Sequence, residues 1–394
     1  MKSIWKLGVL VFGLLPAGLL FAQVTPEFQV GARGVMSVNT EKAHGQVSSA
    51  VNDFSDTGLL TGFRQKLYSR MRGQLVIGFQ FPDADSDLGQ LFFHQIFVRV
   101  EDKTNILKLG RSRVRSALIE FPTLRDDDAL PFTDVLNPFS AGLNSEDNQY
   151  GNVAEFVHIF RQRLWIRLHG EHFTETPVPP QTAETDFSLN AVGLSAQYRV
   201  PETQLWNRPF LQQVGIGVNH FLLGKADTQN GKRILRNAIF SLIVNLRRDP
   251  VYFWDFRTQI IFNQGLPGVK SVSTYADLTR ARSLAVFSSL RYLYRKLERP
   301  WLQLAFSAGY KTFPDLTEKS HQFQAVGNAF YRLGDNFDLA VQLQYRKVTG
   351  QLADLYSRDL FHFQIGFVYS INFAWNRQFD DRESLLNLEH GYIP

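Results

Sequence analysis

The sequence predicts an all-β fold, a transmembrane antiparallel β-barrel of about sixteen strands. Apolar and polar residues alternate with period two in runs along the chain, the mark of strands whose two faces meet different surroundings. The connections between those runs alternate short and long. No stretch after Ala22 is apolar for long enough to cross a bilayer as a helix, which needs about 20 residues. A barrel strand escapes such a search because it alternates.

Residues 1–22 read as a secretory signal peptide. Lys2 and Lys6 precede an apolar stretch from Leu7 to Phe21, and the small residue Ala22 precedes the polar Gln23, the order of an export signal cleaved near Ala22. A membrane-anchoring helix is disfavoured by the short length and by Gly13, Pro16 and Gly18. Residues 23–379 are expected to form the barrel, and 380–394 a short periplasmic tail. The expected location is the bacterial cell outer membrane.

The strands are expected at 27–38, 57–69, 74–82, 91–100, 106–116, 154–161, 163–173, 187–200, 211–221, 236–247, 251–264, 282–295, 301–312, 321–332, 337–347 and 360–373. The first alternates Phe28, Val30, Ala32, Gly34, Met36 and Val38 with Gln29, Arg33 and Ser37. The eleventh sets Tyr252, Trp254, Phe256, Thr258, Ile260 and Phe262 against Asp255, Arg257, Gln259 and Asn263. The last puts Phe361, Phe363, Ile365, Phe367, Tyr369, Ile371 and Phe373 on one face. A helix would spread those apolar residues around its circumference. The pair 154–161 and 163–173 decides the count: a tight turn near Gln162 keeps sixteen strands and the short/long order, while fourteen or eighteen stay open.

Short connections fall at 70–73, 101–105, 247–250, 296–300 and 332–336, where Gly, Pro, Asn and Asp supply turn geometry. Long ones fall at 39–56, 83–90, 117–153, 174–186, 222–235, 265–281, 313–320 and 348–359. Short periplasmic turns alternating with longer outer loops are the topology of an outer-membrane barrel. A soluble sandwich need not keep that order. Trp254, Tyr292, Tyr294, Trp301, Tyr310, Tyr331, Tyr345 and Tyr369 lie near strand ends, where amphipathic rings suit the headgroup level.

In such a barrel the polar face of each strand points into the lumen. That parity sends Arg33, Arg64, Lys66, Arg99, Lys108, Arg167, Arg199, Arg257, Arg291, Arg295, Lys311 and Arg346 inward, with Glu171, Asp255 and Asp338 as the opposing acids. Basic rings bias a pore towards anions. Arg111, Arg113 and Arg115 share one face, which parity from Leu107 and Leu109 turns outward. Either a bulge at Gly110 turns them into the lumen as a basic ladder, or the strand has already left the apolar band. The 117–153 loop carries Asp126, Asp127 and Asp128. These form the acidic side of a constriction, or are solvated loop residues with a loose Ca²⁺ affinity. Pro122, Pro131, Pro138 and Gly142 suit a folded-in segment.

The segment from Gln364 to Phe373 resembles the terminal signal that the barrel-assembly machinery recognises in outer-membrane barrels, with Gln364, Gly366, Tyr369, Ile371 and Phe373 on its positions. Family members often end at the aromatic residue, whereas here the chain runs on through Trp375 and Phe379 to Pro394. Strand number, loop order and the outsized third loop resemble the bacterial porins. That resemblance implies a third loop folded into the lumen, a homotrimer and passive diffusion of small anionic or neutral solutes. The stretch from Leu107 to Arg111 is similar to the phosphate-selective porin O and P group, a short and unspecific likeness.

Other functions leave weaker traces. Barrels that hydrolyse lipids need His with Ser two residues on, and none of Asn219-His220, His94, His158, His169, His172, His321 or His362 provides it. His169 and His172 would point to opposite faces of a strand. An adhesin or receptor remains the other class, although the first expected strand starts too close to Ala22 to leave a plug domain. The absence of Cys excludes a disulfide scaffold and Cys-ligated metal. Removing Lys2 and Lys6 takes the formal charge from +5 to +3, too little to suggest nucleic acid. No cofactor and no catalytic or metal site is expected.

Overall fold

The computed structural model describes residues 27–43, 46–53, 58–67, 71–80, 92–113, 118, 150–171, 191–200, 210–222, 234–249, 251–264, 282–296, 299–315, 320–334, 337–350, 353 and 359–375. The expected signal peptide and the 380–394 tail lie outside them. The described strands are β1 (Glu27–Ala43), β2 (Gln46–Asp53), β3 (Gly58–Lys66), β4 (Arg72–Gln80), β5 (Phe92–Glu101), β6 (Asn105–Arg113), β7 (Tyr150–Phe160), β8 (Leu164–Glu171) and β9 (Ala191–Arg199). They continue with β10 (Phe210–Leu222), β11 (Ile234–Arg248), β12 (Tyr252–Gln264), β13 (Arg282–Lys296), β14 (Arg299–Phe313), β15 (Ser320–Gly334), β16 (Phe337–Thr349) and β17 (Asp359–Trp375).

All of them belong to one antiparallel sheet that closes on itself. From β3 to β17 each strand pairs with the next. β1 then seals the ring, pairing along its length with β17, from Phe28 opposite Trp375 to Ala43 opposite Leu360. Its other edge is shared. The lower half, Glu27 to Arg33, pairs with β3, and the upper half, Ser37 to Ala43, pairs with β2. β2 and β3 thus occupy one position in the ring, which has about sixteen positions, an even number as closure of an up-and-down barrel favours.

This corrects the expected long loop at 39–56. Only residues 44–45 separate β1 from β2, and the two form a hairpin. Thr40-Glu41-Lys42 are polar, and Val47 and Val51 are the only large apolar residues between Gln46 and Asp53. So short and polar a segment lacks the apolar alternation that marks the other strands.

The turn near Gln162 is present. Arg161 and Gln162 have φ of 48° and 57°, and Arg163 N–H donates to the Phe160 carbonyl at 2.9 Å. Positive φ at both central residues is the I′ geometry that matches the twist of a two-residue hairpin. β7 and β8 are therefore separate, and the connections keep their sides.

The outer face is apolar and uncovered. Phe306 is 60% exposed and Ile216 57%, and Phe63, Leu168, Val218, Phe262, Leu343 and Phe363 share that face. An exposed apolar surface continuous round a closed sheet fits hydrocarbon, not water. Near the strand ends that carry the short turns, Tyr252, Trp254, Tyr292 and Tyr294 pack ring on ring, with Trp254 and Tyr292 centroids 4.7 Å apart. Near the opposite ends Tyr310 Oη meets His321 Nδ1 at 2.6 Å and Tyr345 Oη donates to Asp359 at 3.0 Å. These rings face outward at both rims, as interfacial belts do.

Candidate functional site

Strand pleating places alternate side chains in the barrel interior. Arg64, Lys108, Arg167, Lys311 and Arg346 are inward and buried, and Arg99, Arg199, Arg257, Arg291 and Arg295 share the same inward parity. Arg33 and Lys66 occupy inward register positions, opposite Gly58 and Arg72. The inner wall also holds acids. Asp255, fully buried, contacts both Arg257 (3.2 Å) and Arg291 (2.5 Å). Arg99 meets Glu101 at 2.7 Å and Arg332 lies 3.9 Å from Asp338. Cations also lie over rings: Lys108 is 4.5 Å from the Phe97 centroid and Arg199 4.9 Å from Trp165.

Glu155 was missed by the pattern. It is buried inward on β7 and pairs with Arg167 at 2.8 Å. Its inner-face neighbours are Val153, Val157 and Ile159, while Phe156, His158 and Phe160 face out. Both faces of β7 are apolar enough that alternation gives no inside or outside. The only signal was the need of Arg167 for a partner.

Pairing through Gly110 runs without a register shift, from Ile96 opposite Arg111 to Glu101 opposite Ile106, and Gly110 stands opposite Val153. The bulge proposed at Gly110 is therefore absent from this register. Ser112 is buried inward, so Arg111 shares the outward parity of Leu107 and Leu109, and Arg113 takes the next outward register position. This corrects the basic-ladder alternative: Arg111 and Arg113 take outward positions in the last residues of β6. An arginine at the bilayer midplane would cost roughly 2–4 kcal/mol, falling towards zero near the interface. Gly110 itself has φ of 132°, and a Cβ there would stand 2.3 Å from the Ile96 carbonyl oxygen. Arg115 and the acids Asp126, Asp127 and Asp128 lie outside the described residues.

One residue of the third loop is placed, and it lies against the inner wall. Leu118 follows β6, yet it belongs to one buried apolar cluster with Ile239 and Ile243 of β11, Ile261 of β12, Ala285 and Phe287 of β13 and Val326 of β15. Its backbone is held at both ends: Leu118 N–H donates to Gln259 Oε1 at 3.0 Å, and Gln197 Nε2 donates to the Leu118 carbonyl at 2.8 Å. β6 and β12 lie well apart around the ring, so Leu118 sits against a part of the wall distant from the strand it follows. Gly215 and Gly217 leave the room: a Cβ at Gly217 would stand 3.3 Å from Leu118 Cδ2. The sequence contained the two glycines and two glutamines but nothing to pair them with Leu118.

Of the expected assembly residues, Gln364 and Gly366 face inward and Tyr369 outward on β17, while Ile371 and Phe373 continue the outward register opposite Ala32 and Val30. Outside the spanning segments, Asp102 caps the β5–β6 turn by accepting from the Thr104 and Asn105 amides at 2.6 and 2.7 Å. The Thr104 amide, followed by the Asn105 side chain, holds the Asp102 carboxyl at about 2. Asp315 at the opposite end is also lowered to about 2, first by the Arg282 side chain donating to it.

No protein-family model matches the sequence, and no curated protein matches it. Solved structures do. An anion-selective porin from Comamonas acidovorans has a TM-score of 0.55 at 11% identity, covering 88% of this chain and 100% of that one. The outer membrane channel DcaP of Acinetobacter baumannii gives 0.59 at 12%, covering 89% and 99%. OprB of Pseudomonas putida gives 0.61 at 10%, covering 93% and 97%. At these identities the likeness is one of fold.

Proposed function

We propose that this chain, which has the β-barrel fold of bacterial outer-membrane porins, is a passive channel of the outer membrane for small hydrophilic solutes, with a preference for anions. The observation that carries the reading is the inner wall. Among the described residues its cations outnumber its carboxylates, and Leu118, which follows β6 in the chain, lies against it. Lumen width then sets a size limit, and fixed positive charge attracts anions and repels cations. Asp255, Glu155 and Glu101 neutralise part of that charge, and the bias is the excess of cations that remains over the wall as a whole. The solutes are small anionic or neutral molecules, and the chemistry needs no catalytic group or cofactor.

The precursor is exported on residues 1–22, and the segment 364–373 is what the assembly machinery reads. A homotrimer is the proposed assembly; OmpT of Vibrio cholerae, of like fold at 10% identity, has a trimer form. The test is single-channel recording of purified protein in a planar bilayer under a potassium chloride gradient. Stepwise openings with a reversal potential on the anion side are expected. A potential on the cation side removes the anion preference. A folded, heat-modifiable barrel without conductance favours an adhesin, a receptor or an enzyme instead.

A further inference from the structure

The inner wall is not uniform. Whereas β5 to β13 carry most of the arginines, the inward face of β15 and β16 gathers the buried carboxamides Gln322, Gln324, Asn328, Gln342 and Gln344. Gln324 and Gln344 are fully buried, and neither the nitrogen nor the oxygen of either side chain has a hydrogen-bond partner; Nε2 of Gln322 has none either. Buried amides are almost always paired, and leaving one unpaired is costly. A wall that holds several together leaves donors and acceptors to be met by what enters the lumen, whether water or a polar solute. The terminal torsion of Gln is broad, so small rotations turn these groups towards whatever occupies the lumen.

Two cations frame the patch. Lys311 stands opposite Gln322 and Arg346 opposite Gln324, and both are inward and buried. Directly opposed residues lie about 5 Å apart and alternate residues along a strand roughly 7 Å. Lys311, Gln322, Gln324, Arg346 and Gln344 therefore form one field the size of a small organic molecule. A halide uses only the cations. A neutral polyol uses only the amides. A hydroxylated carboxylate uses both: its carboxylate meets a cation, and each hydroxyl is a donor and an acceptor, as each carboxamide is.

Resting on the reading of the chain as an anion-preferring channel, we infer that the β14–β16 wall is a solute-binding site for small polyhydroxylated carboxylates, with Lys311 and Arg346 taking the carboxylate and Gln324 and Gln344 the hydroxyls. Because amides add contacts without adding charge, the solute is selected and still released.

The test compares block of the chloride current by gluconate, acetate and sorbitol in the full chain and in a Gln324→Leu/Gln344→Leu variant. Refolding of the variant is checked by heat-modifiable migration, with Gln324→Asn as a milder second substitution. In the wild type, gluconate is expected to block at a concentration about tenfold below acetate, and sorbitol weakly. Loss of two hydrogen bonds between uncharged partners is expected to bring the gluconate value to near that of acetate, a change of about tenfold. Lys311→Gln should weaken block by both carboxylates. Equal block by acetate and gluconate in an anion-selective wild type overturns the site and leaves the channel reading standing. Gluconate block unchanged in the double variant is size exclusion and overturns it as well. Sorbitol block as strong as gluconate overturns the carboxylate contact. A wild type without conductance, or selective for cations, overturns the channel reading and the site with it.

Discussion

Asp255 shows how a charge is kept inside this wall: it is fully buried, and two guanidinium groups, from the same strand and from the next, hold its two oxygens. Removing one side of a buried ionic cluster leaves the other uncompensated. Asp255→Asn is expected to cost about 3 kcal/mol in urea unfolding of the refolded barrel and to move the reversal potential further to the anion side. At the rim, Asp102 makes a pH-dependent contribution. Its carboxyl titrates near 2 in the folded chain against an ordinary 3.8, so the ionised form is the stabilising one. The contribution is complete above the unfolded value and is lost as pH falls from about 3.8 through about 2. Asp102→Ala should lower stability by roughly 1 kcal/mol at neutral pH, and most of the difference from wild type should be lost in unfolding curves taken near pH 2. A difference that persists there in full would assign the loss to packing rather than to the charged cap.

At the scale of the element, what was legible in the sequence and what was not divide along physical lines. β12, β14, β16 and β17 separate an apolar outer face from a polar inner one, and their parity follows from alternation alone. β7 does not, because Val153, Val157 and Ile159 are inward and Phe156 outward. β2 carries too little alternation to be read as a strand, with only Val47 and Val51 apolar on one face. The Leu118 anchor depends on residues more than a hundred apart, such as Gln259, and period-two patterning holds no information on contacts across a lumen. Two predictions belong here. Replacing Arg161-Gln162 by Asn-Gly should stabilise the β7–β8 hairpin by about 1 kcal/mol, because those residues accept positive φ with less strain; no gain in unfolding would mean that the hairpin is set by its strands. Gly217→Val should push Leu118 from its seat and change single-channel conductance at least twofold. Gly327→Ala, where an added Cβ meets nothing within 4 Å, should leave conductance unchanged. Equal conductance in both would show that Leu118 does not position the loop.

For the whole molecule, the proposed function requires that the polar face of the closed sheet enclose a positively charged aqueous path and the apolar face meet lipid. The chain has no Cys, so single cysteines can report on that directly. Gln303 faces inward on β14, opposite Leu293 and close to Arg291, while the adjacent Leu304 faces outward and is 42% exposed. The decisive measurement is the rate at which Gln303→Cys and Leu304→Cys react with small water-soluble thiol reagents of negative and positive charge, in protein inserted in lipid vesicles. The account predicts that Gln303→Cys reacts, several-fold faster with the negative reagent, and that Leu304→Cys is protected from both. Protection at Gln303 with reaction at Leu304, or faster reaction of Gln303→Cys with the positive reagent, would contradict it.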